Sequence, residues 1–246
     1  RLSMVRDYFL PLKQEQIQLL KEAFLYWQKY DEYMLVMKTY LDTGEKERYA
    51  VLCSKRGNDV FSRRLKSKFG FFNYVEDVEF FSLEDFGKKA VKSNLLWVTL
   101  TYDSNRCSLD SAWENCMEEY NVFITNLRNR YGKIDVLKFP QPFPDENGQA
   151  YGYPHVHVVL LFKEAKFDVF PRWEVNKEGK EEINYRIQQK DALAAQGKWH
   201  SFIDVKALSS PRAAVAYCRK YAQNQYTGKT EKGVLTCSVL WLYRKQ

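Results

Sequence analysis

The sequence predicts an α+β fold: a central antiparallel sheet of four or five strands backed by helices, with a helical extension at the amino end. Three observations carry this. Apolar residues recur at helical spacing near the start, at Ile17, Leu20, Phe24 and Trp27. From about residue 94 the texture changes to short segments rich in β-branched and aromatic residues, LLWVTLTYD, KIDVLKF, HVHVVLLF and WHSFIDVKA. Strands separated by helices and joined by short hairpin-like links favour an antiparallel sheet with helices behind it.

The chain has 246 residues, 45% hydrophobic and 16% aromatic, which suits one large domain or two small ones and excludes wholesale disorder. No apolar run approaches the roughly 20 residues that a membrane span requires, so no membrane partner is expected. The amino end, RLSMVRDYFLPLK, lacks the apolar core of a signal peptide. It begins at Arg rather than Met, which leaves open that the chain is a fragment of a longer protein. The five cysteines, Cys53, Cys107, Cys116, Cys218 and Cys237, form no CxxC pair. A disulfide framework or zinc knuckle is therefore not expected, and a cytoplasmic location is. The formal charge of +7 points to a polyanionic partner.

Residues 8–41 read as helix. The next stretch, RYAVLCSKRGNDVFSRRLKSKFGFF, mixes Lys55, Arg56, Arg63, Arg64, Lys66 and Lys68 with Phe61, Phe69 and Phe71. Such a mixture suits single-stranded nucleic acid, with cations on phosphates and rings on bases. It equally suits a solvated positive face over a few core aromatics. Lys55, Arg56, Arg63 and Arg64 are the candidate DNA contacts. Residues 1–92 thus form a helical and basic extension, and residues 93–246 the sheet-bearing core, unless the two are continuous.

In the core, LLWVTLTYD (95–103) is the first strand. A helix follows over 109–130, with Leu109, Trp113, Met117, Tyr120 and Phe123/Ile124 at helical spacing. KIDVLKF (133–139) is the second strand, and the loop PQPFPDENGQAYGYP leads into HVHVVLLF. An insertion of mixed charge, roughly 163–198, precedes WHSFIDVKA (199–207). Ser210 then caps a helix whose first position is Pro211, where the missing N–H does no harm, and which runs to Gly228. The last apolar segment, VLTCSVLWLY, fits a strand or a helix.

Two places hold chemistry. In PHVHVVLLF (154–162), alternation puts His155, His157, Val159 and Leu161 on one face and Val156, Val158, Leu160 and Phe162 on the other. Imidazoles at alternate strand positions, about 7 Å apart, can converge on a small ion. They also occur as ordinary polar residues at a strand end. On the helix from Pro211, Tyr217 and Tyr221 share a face with Lys220 beside them. Tyrosines at this spacing commonly anchor a helix to a sheet. The neighbouring cation is what suggests chemistry, because an ammonium or a metal favours the phenolate of a group whose ordinary pKa is about 10.

In order along the chain, Trp97-Val98-Thr99-Leu100-Thr101, His155-Val156-His157 and Tyr217-Cys218-Arg219-Lys220-Tyr221 resemble the motif set of the HUH endonuclease superfamily. In particular they resemble those of the rolling-circle replication initiators (Rep proteins) of plasmids, phages and single-stranded DNA viruses. The resemblance covers about residues 94–228. It implies an HUH, ferredoxin-like sheet and a divalent metal, Mg2+ or Mn2+, bound by His155 and His157. It further implies that Tyr217 or Tyr221 attacks a DNA phosphodiester to leave a 5′-phosphotyrosine and a free 3′-hydroxyl, with Lys220 stabilising charge. The implied partners are single-stranded DNA at a replication origin and a host helicase or polymerase. A transposase or conjugative relaxase of the same superfamily would share the chemistry. A non-catalytic single-stranded nucleic-acid-binding module would share the fold alone.

Many members of the superfamily supply a third metal ligand, usually a carboxylate, from the strand before the paired histidines. Here that strand reads DVLKFPQPF and offers Lys138 where an acid is expected. Gln141 is the candidate third ligand, with Asp145, Glu146, Gln225 and His200 as alternatives; His200 reads more simply as a surface histidine. Asp103 shares a face with Thr99 and Thr101, and Asp204 with His200 and Phe202. Either could orient a metal-bound imidazole, although acids at strand ends more often make salt bridges or turns. The pattern names Tyr217 by its YxxK form and Tyr221 by the single-tyrosine plasmid form, so the order of attack stays open.

Overall fold

Leu95–Thr101, the segment LLWVTLT, lies in the middle of the core sheet, and only its last residue is not fully buried. The computed structural model describes residues 14–55, 58–67, 81–88, 90–144, 148–176, 179–209 and 231–243. In chain order the elements are α1 (Gln14–Lys29), β1 (Tyr33–Thr39), β2 (Lys46–Leu52), α2 (Asp59–Ser67), β3 (Lys92–Ser93) and β4 (Leu95–Thr101). There follow α3 (Leu109–Tyr131), β5 (Ile134–Pro142), β6 (Pro154–Phe162), β7 (Phe167–Val175), β8 (Glu181–Ile187), α4 (Lys190–Gly197), β9 (Ile203–Ala207) and α5 (Glu231–Leu242). The architecture is mixed α+β with antiparallel sheets, as the sequence predicts.

Among the described residues the core sheet has four strands in the order β5-β6-β4-β9, and every neighbouring pair is antiparallel. Register then fixes which side chains meet. Thr99 lies opposite His157 on β6 and opposite Asp204 on β9, while Phe139 lies opposite His157 from β5. One step along, Thr101 and Gln141 flank His155. Directly opposed residues share a face, so these two polar rows occupy one side of the sheet.

Leu96, Val98, Leu100, Val156, Val158 and Leu160 fill the other side, all buried. There α3 packs, burying Trp113, Cys116, Tyr120, Phe123, Ile124 and Leu127 at helical spacing. Burial of each large apolar side chain contributes roughly 1.5–3 kcal/mol. Ser108 caps the start of α3 by accepting from Ser111 N, and Gly132 ends it at φ 78. The positive φ favours glycine there; a Cβ would also meet the Glu164 carboxylate, which as the end of a flexible side chain could move aside.

The amino-terminal extension departs from the expected long helix. α1 ends at Lys29, and Tyr33–Thr39 is a strand paired with β2, from Tyr33 opposite Leu52 to Thr39 opposite Lys46. The cause is a chain reversal at Asp42-Thr43-Gly44. Gly44 adopts φ 70 and its N–H donates to Tyr40 O at 2.8 Å, bringing KERYAVL alongside YMLVMKT. The extension is therefore helix plus hairpin, not helical throughout.

The insertion at 163–198 holds the β7–β8 hairpin and α4. The strand expected over 199–207 begins only at Ile203; Trp199 before it donates its indole N–H to Thr101 O at 3.1 Å. The closing apolar segment is helix α5, whose Trp241 meets Phe24 and Trp27 of α1. Tyr243 beyond it stacks on Trp113, centroids 5.6 Å apart. Among the described residues no helix is long and apolar enough to cross a membrane. The helix expected from Pro211 to Gly228 lies outside the described residues.

Candidate functional site

β6 is buried along its whole length except at His155, which is half-buried; His157 is 5% exposed. The rings of His155 and His157 lean together, with centroids 4.5 Å apart and planes at 41°. Gln141 reaches this pair from β5, its side-chain nitrogen 2.5 Å from His157 Nε2. From β4, Thr99 Oγ1 lies 3.1 Å from His157 Nδ1. Aromatic rings wall the cluster. Trp97 packs against His157 at 5.2 Å, and Phe143 stacks on His155 at 5.3 Å with the planes 12° apart.

The local chain explains this convergence. Phe143 N–H donates to Tyr153 O and Gly152 N–H donates to Phe143 O, so the β5–β6 pairing carries on past Pro142 into the loop. Trp113 of α3 holds that loop by donating its indole N–H to Gly152 O at 2.8 Å. Alternation along β5 puts Phe139 and Gln141 on the imidazole side and Lys138 on the opposite side. Lys138 accordingly points at α3, with Nζ 4.8 Å from the Tyr120 ring centroid and 3.5 Å from Met117 Sδ. The position that lacks an acid is thus not on the site's face, and Gln141 is.

Of the other candidates, His200 is engaged by Glu119 of α3, Nε2 to Oε2 at 3.1 Å, on the sheet's far side from the imidazole pair. It is not beside His155 and His157. Asp103 is a turn residue: its Oδ1 accepts from Asn105 N and Nδ2, and its Oδ2 pairs with Arg106 at 3.3 Å. Asp204 lies opposite Thr99 but is ion-paired with Arg186. Arg186 also grips Glu174, Nε to Oε1 at 2.9 Å and Nη2 to Oε2 at 2.7 Å. Hydrogen bonding from Arg186 holds the Glu174 carboxyl below the usual carboxylate range, against the opposing effect of burial.

Burial pushes the phenols of Tyr102, Tyr120, Tyr153 and Tyr185 up, and Tyr102 is raised further by Glu119. None of these four is an activated phenol. Tyr217, Lys220, Tyr221, Gln225, Asp145 and Glu146 lie outside the described residues, as does Arg56.

Among the expected DNA contacts, Lys55 requires correction. It is 3% exposed, with Nζ donating to Trp27 O and Tyr30 O at the end of α1, 3.4 Å from Glu32 Oε1 and 4.1 Å from the Trp27 ring centroid. The carbonyls left open at a helix C-terminus attract a cation, and Lys55 answers them rather than solvent. Arg63 and Arg64 are exposed on α2. Phe61, two residues before them, packs against the core.

Phe143 lies outside the motifs, and Trp97 and Thr99 stand in the first motif without being singled out as residues beside the histidines. The available signal was alternation: Trp97 and Thr99 stand on one side of the strand, and antiparallel pairing with β6 makes that the histidine side.

Among the described residues no three His, Cys, Asp or Glu side chains gather as a metal-binding group. The donor set at the imidazole pair is instead two ring nitrogens and one amide. A side-chain amide presents either its nitrogen or its oxygen by a half-turn, so Gln141 can offer an oxygen to a cation lying where its nitrogen now meets His157. Imidazole and amide oxygen together suit Mn2+ and tolerate Mg2+. The donor types present therefore suit a divalent cation. No family model, curated protein or solved structure matches the chain.

Proposed function

We propose that this chain is a metal-dependent, site-specific endonuclease and strand transferase for single-stranded DNA, of the HUH type that initiates rolling-circle replication. The observation that carries the reading is the convergence of His155, His157 and Gln141 on one face of the sheet.

Strand order supports it. Numbered by their appearance, the core strands stand in the spatial order second, third, first, fourth, with α3 after the first and α4 before the fourth. That order is compatible with the β-α-β-β-α-β plan of ferredoxin-like folds, with the β7–β8 hairpin lying before the second helix. Trp97-Val98-Thr99-Leu100-Thr101 lies in β4, an inner strand of the core sheet, where this reading needs its first motif.

In this reading His155, His157 and the Gln141 oxygen would hold Mg2+ or Mn2+, which would offset phosphate charge and polarise the scissile diester. All three donors are neutral, so the cation keeps its charge for the substrate. Trp97 and Phe139, both buried, keep the base of the site dry and strengthen that electrostatic interaction. A phenol of Tyr217 or Tyr221 gives up its proton to solvent, and its oxygen forms a bond to phosphorus as the bond from phosphorus to the 3′-oxygen breaks. The leaving oxygen takes up a proton and becomes a free 3′-hydroxyl, while the 5′-phosphate is esterified to tyrosine. The new bond retains the energy of a phosphodiester, so a second hydroxyl can reverse the step without ATP. Lys220 stabilises negative charge, and Arg63 and Arg64 offer exposed cations to the DNA backbone. A transposase or relaxase would use the same steps in another pathway.

The test is a covalent adduct between the chain and labelled single-stranded oligonucleotides, surviving denaturation, in Mn2+ or Mg2+. Phenylalanine at both Tyr217 and Tyr221 should abolish it, and alanine at His155 and His157 should remove the metal response. Tight DNA binding with no adduct in either metal would identify a non-catalytic binding module instead.

A further inference from the structure

The hydroxyl of Thr99 and the amide of Gln141 address opposite nitrogens of one buried ring. We propose that Thr99 is a positioning residue that acts through His157, fixing the direction and the tautomer in which that imidazole meets a cation. The inference rests on the reading of His157 as a metal ligand.

A neutral imidazole carries one N–H and one lone pair, and the partner of each nitrogen decides which is which. Thr99 Oγ1 is 3.1 Å from Nδ1, and the Gln141 side-chain nitrogen is 2.5 Å from Nε2. An amide nitrogen only donates, so in this arrangement Nε2 accepts and Nδ1 carries the proton that Thr99 receives. The lone pair then stands on Nε2, the nitrogen directed at Gln141. That is the form a metal requires. A Gln141 half-turn would exchange the amide N–H for the amide oxygen, and the side chain would also have to draw back from Nε2 to admit a cation between the two acceptors. Metal entry thus needs a movement of the Gln141 side chain but no proton rearrangement on the His157 ring.

Burial makes the arrangement selective. Thr99 is 8% exposed and His157 5%, so water is a poor substitute for either partner. Thr99 stands on β4 directly opposite His157, so ring and hydroxyl are held by the same antiparallel ladder. Valine at this position keeps the β-branched shape that suits a central strand but presents no acceptor to Nδ1–H. Serine restores the hydroxyl.

The test uses the full chain with 15N-labelled histidine, as wild type, Thr99→Val and Thr99→Ser. The three histidines are assigned with the help of His200→Gln. In the metal-free wild type, the His157 ring nitrogens should report an Nδ1–H tautomer. Thr99→Val should lose that signature and bind Mn2+ roughly ten- to a hundredfold more weakly by electron paramagnetic resonance titration, the usual range for losing such a partner. Thr99→Ser should restore both. An Nδ1–H signature and Mn2+ affinity unchanged in Thr99→Val would overturn the proposal, as would an Nε2–H tautomer in the wild type. Absence of Mn2+ binding by wild type would overturn the metal reading itself, and the imidazole spectrum of the metal-free protein keeps the two failures distinct.

Discussion

Gln141 sits opposite His155 in the β5–β6 register, yet its side-chain amide meets His157, 2.5 Å from Nε2. The contact is diagonal, within the reach of a long side chain on a pleated sheet. It brings a residue of β5, placed opposite His155, onto the His157 ring. Gln141→Glu should therefore strengthen binding of Mn2+ or Mg2+, since a carboxylate adds the charge that the three neutral donors lack. Gln141→Ala should weaken it. We expect changes of roughly tenfold in each direction by calorimetric titration, in the range by which single ligating or supporting groups alter metal affinity.

The inward turn of Lys55 separates stability from DNA binding within one basic stretch. Lys55→Met should lower the free energy of unfolding by roughly 1.5–3 kcal/mol, because Trp27 O and Tyr30 O lose a charged donor. It should leave the salt dependence of DNA binding unchanged. Arg63→Ala and Arg64→Ala should do the reverse, each reducing the slope of log affinity against log salt by about one while barely affecting the melting temperature.

The Glu174–Arg186–Asp204 cluster should give the fold an acid limit. Glu174 is held below its ordinary value of 4.5, so its pairing contributes fully above that value and is lost as pH falls through the lower folded value. The wild-type melting temperature should accordingly drop below about pH 4.5. Arg186→Met should reduce stability at neutral pH by roughly 1–3 kcal/mol and flatten the acid dependence, because the carboxylates then lose the partner that favoured their charge. Melting curves between pH 3 and 8 decide this.

Gly197 closes α4 against α3. A Cβ there would come within 2.3 Å of the Phe123 ring, and Gly197 O accepts from Asn126 Nδ2 at 3.2 Å. Gly197→Ala should destabilise by roughly 1–3 kcal/mol through overpacking. Phe123→Ala, costly alone, should absorb part of that penalty in the double variant, and a double-mutant cycle by urea unfolding measures the coupling.

Much of the core was legible because its signals are local and periodic. The strands 95–101 and 134–142, the helix 109–131 and the paired histidines all follow from alternation and spacing. The amino-terminal hairpin was less so. YMLVMKT is rich in residues that serve helix and strand alike, and the pairing that decides the matter comes from KERYAVL across the Gly44 turn. Lys55 reads as a surface cation because spacing cannot reveal that α1 ends beside it. Lys138 stood out for its charge, although its face points away from the imidazoles and the informative residue was Gln141. Thr99 belongs to the first motif, but its contact with an imidazole follows only from the register that places it across from His157.

The most direct measurement is anomalous diffraction from crystals of the full chain grown with Mn2+. The account predicts one strong peak bounded by His155, His157 and the side-chain oxygen of Gln141, with remaining positions open to water or phosphate. A Mn2+ peak elsewhere, with these three side chains still hydrogen-bonded to one another, would contradict it.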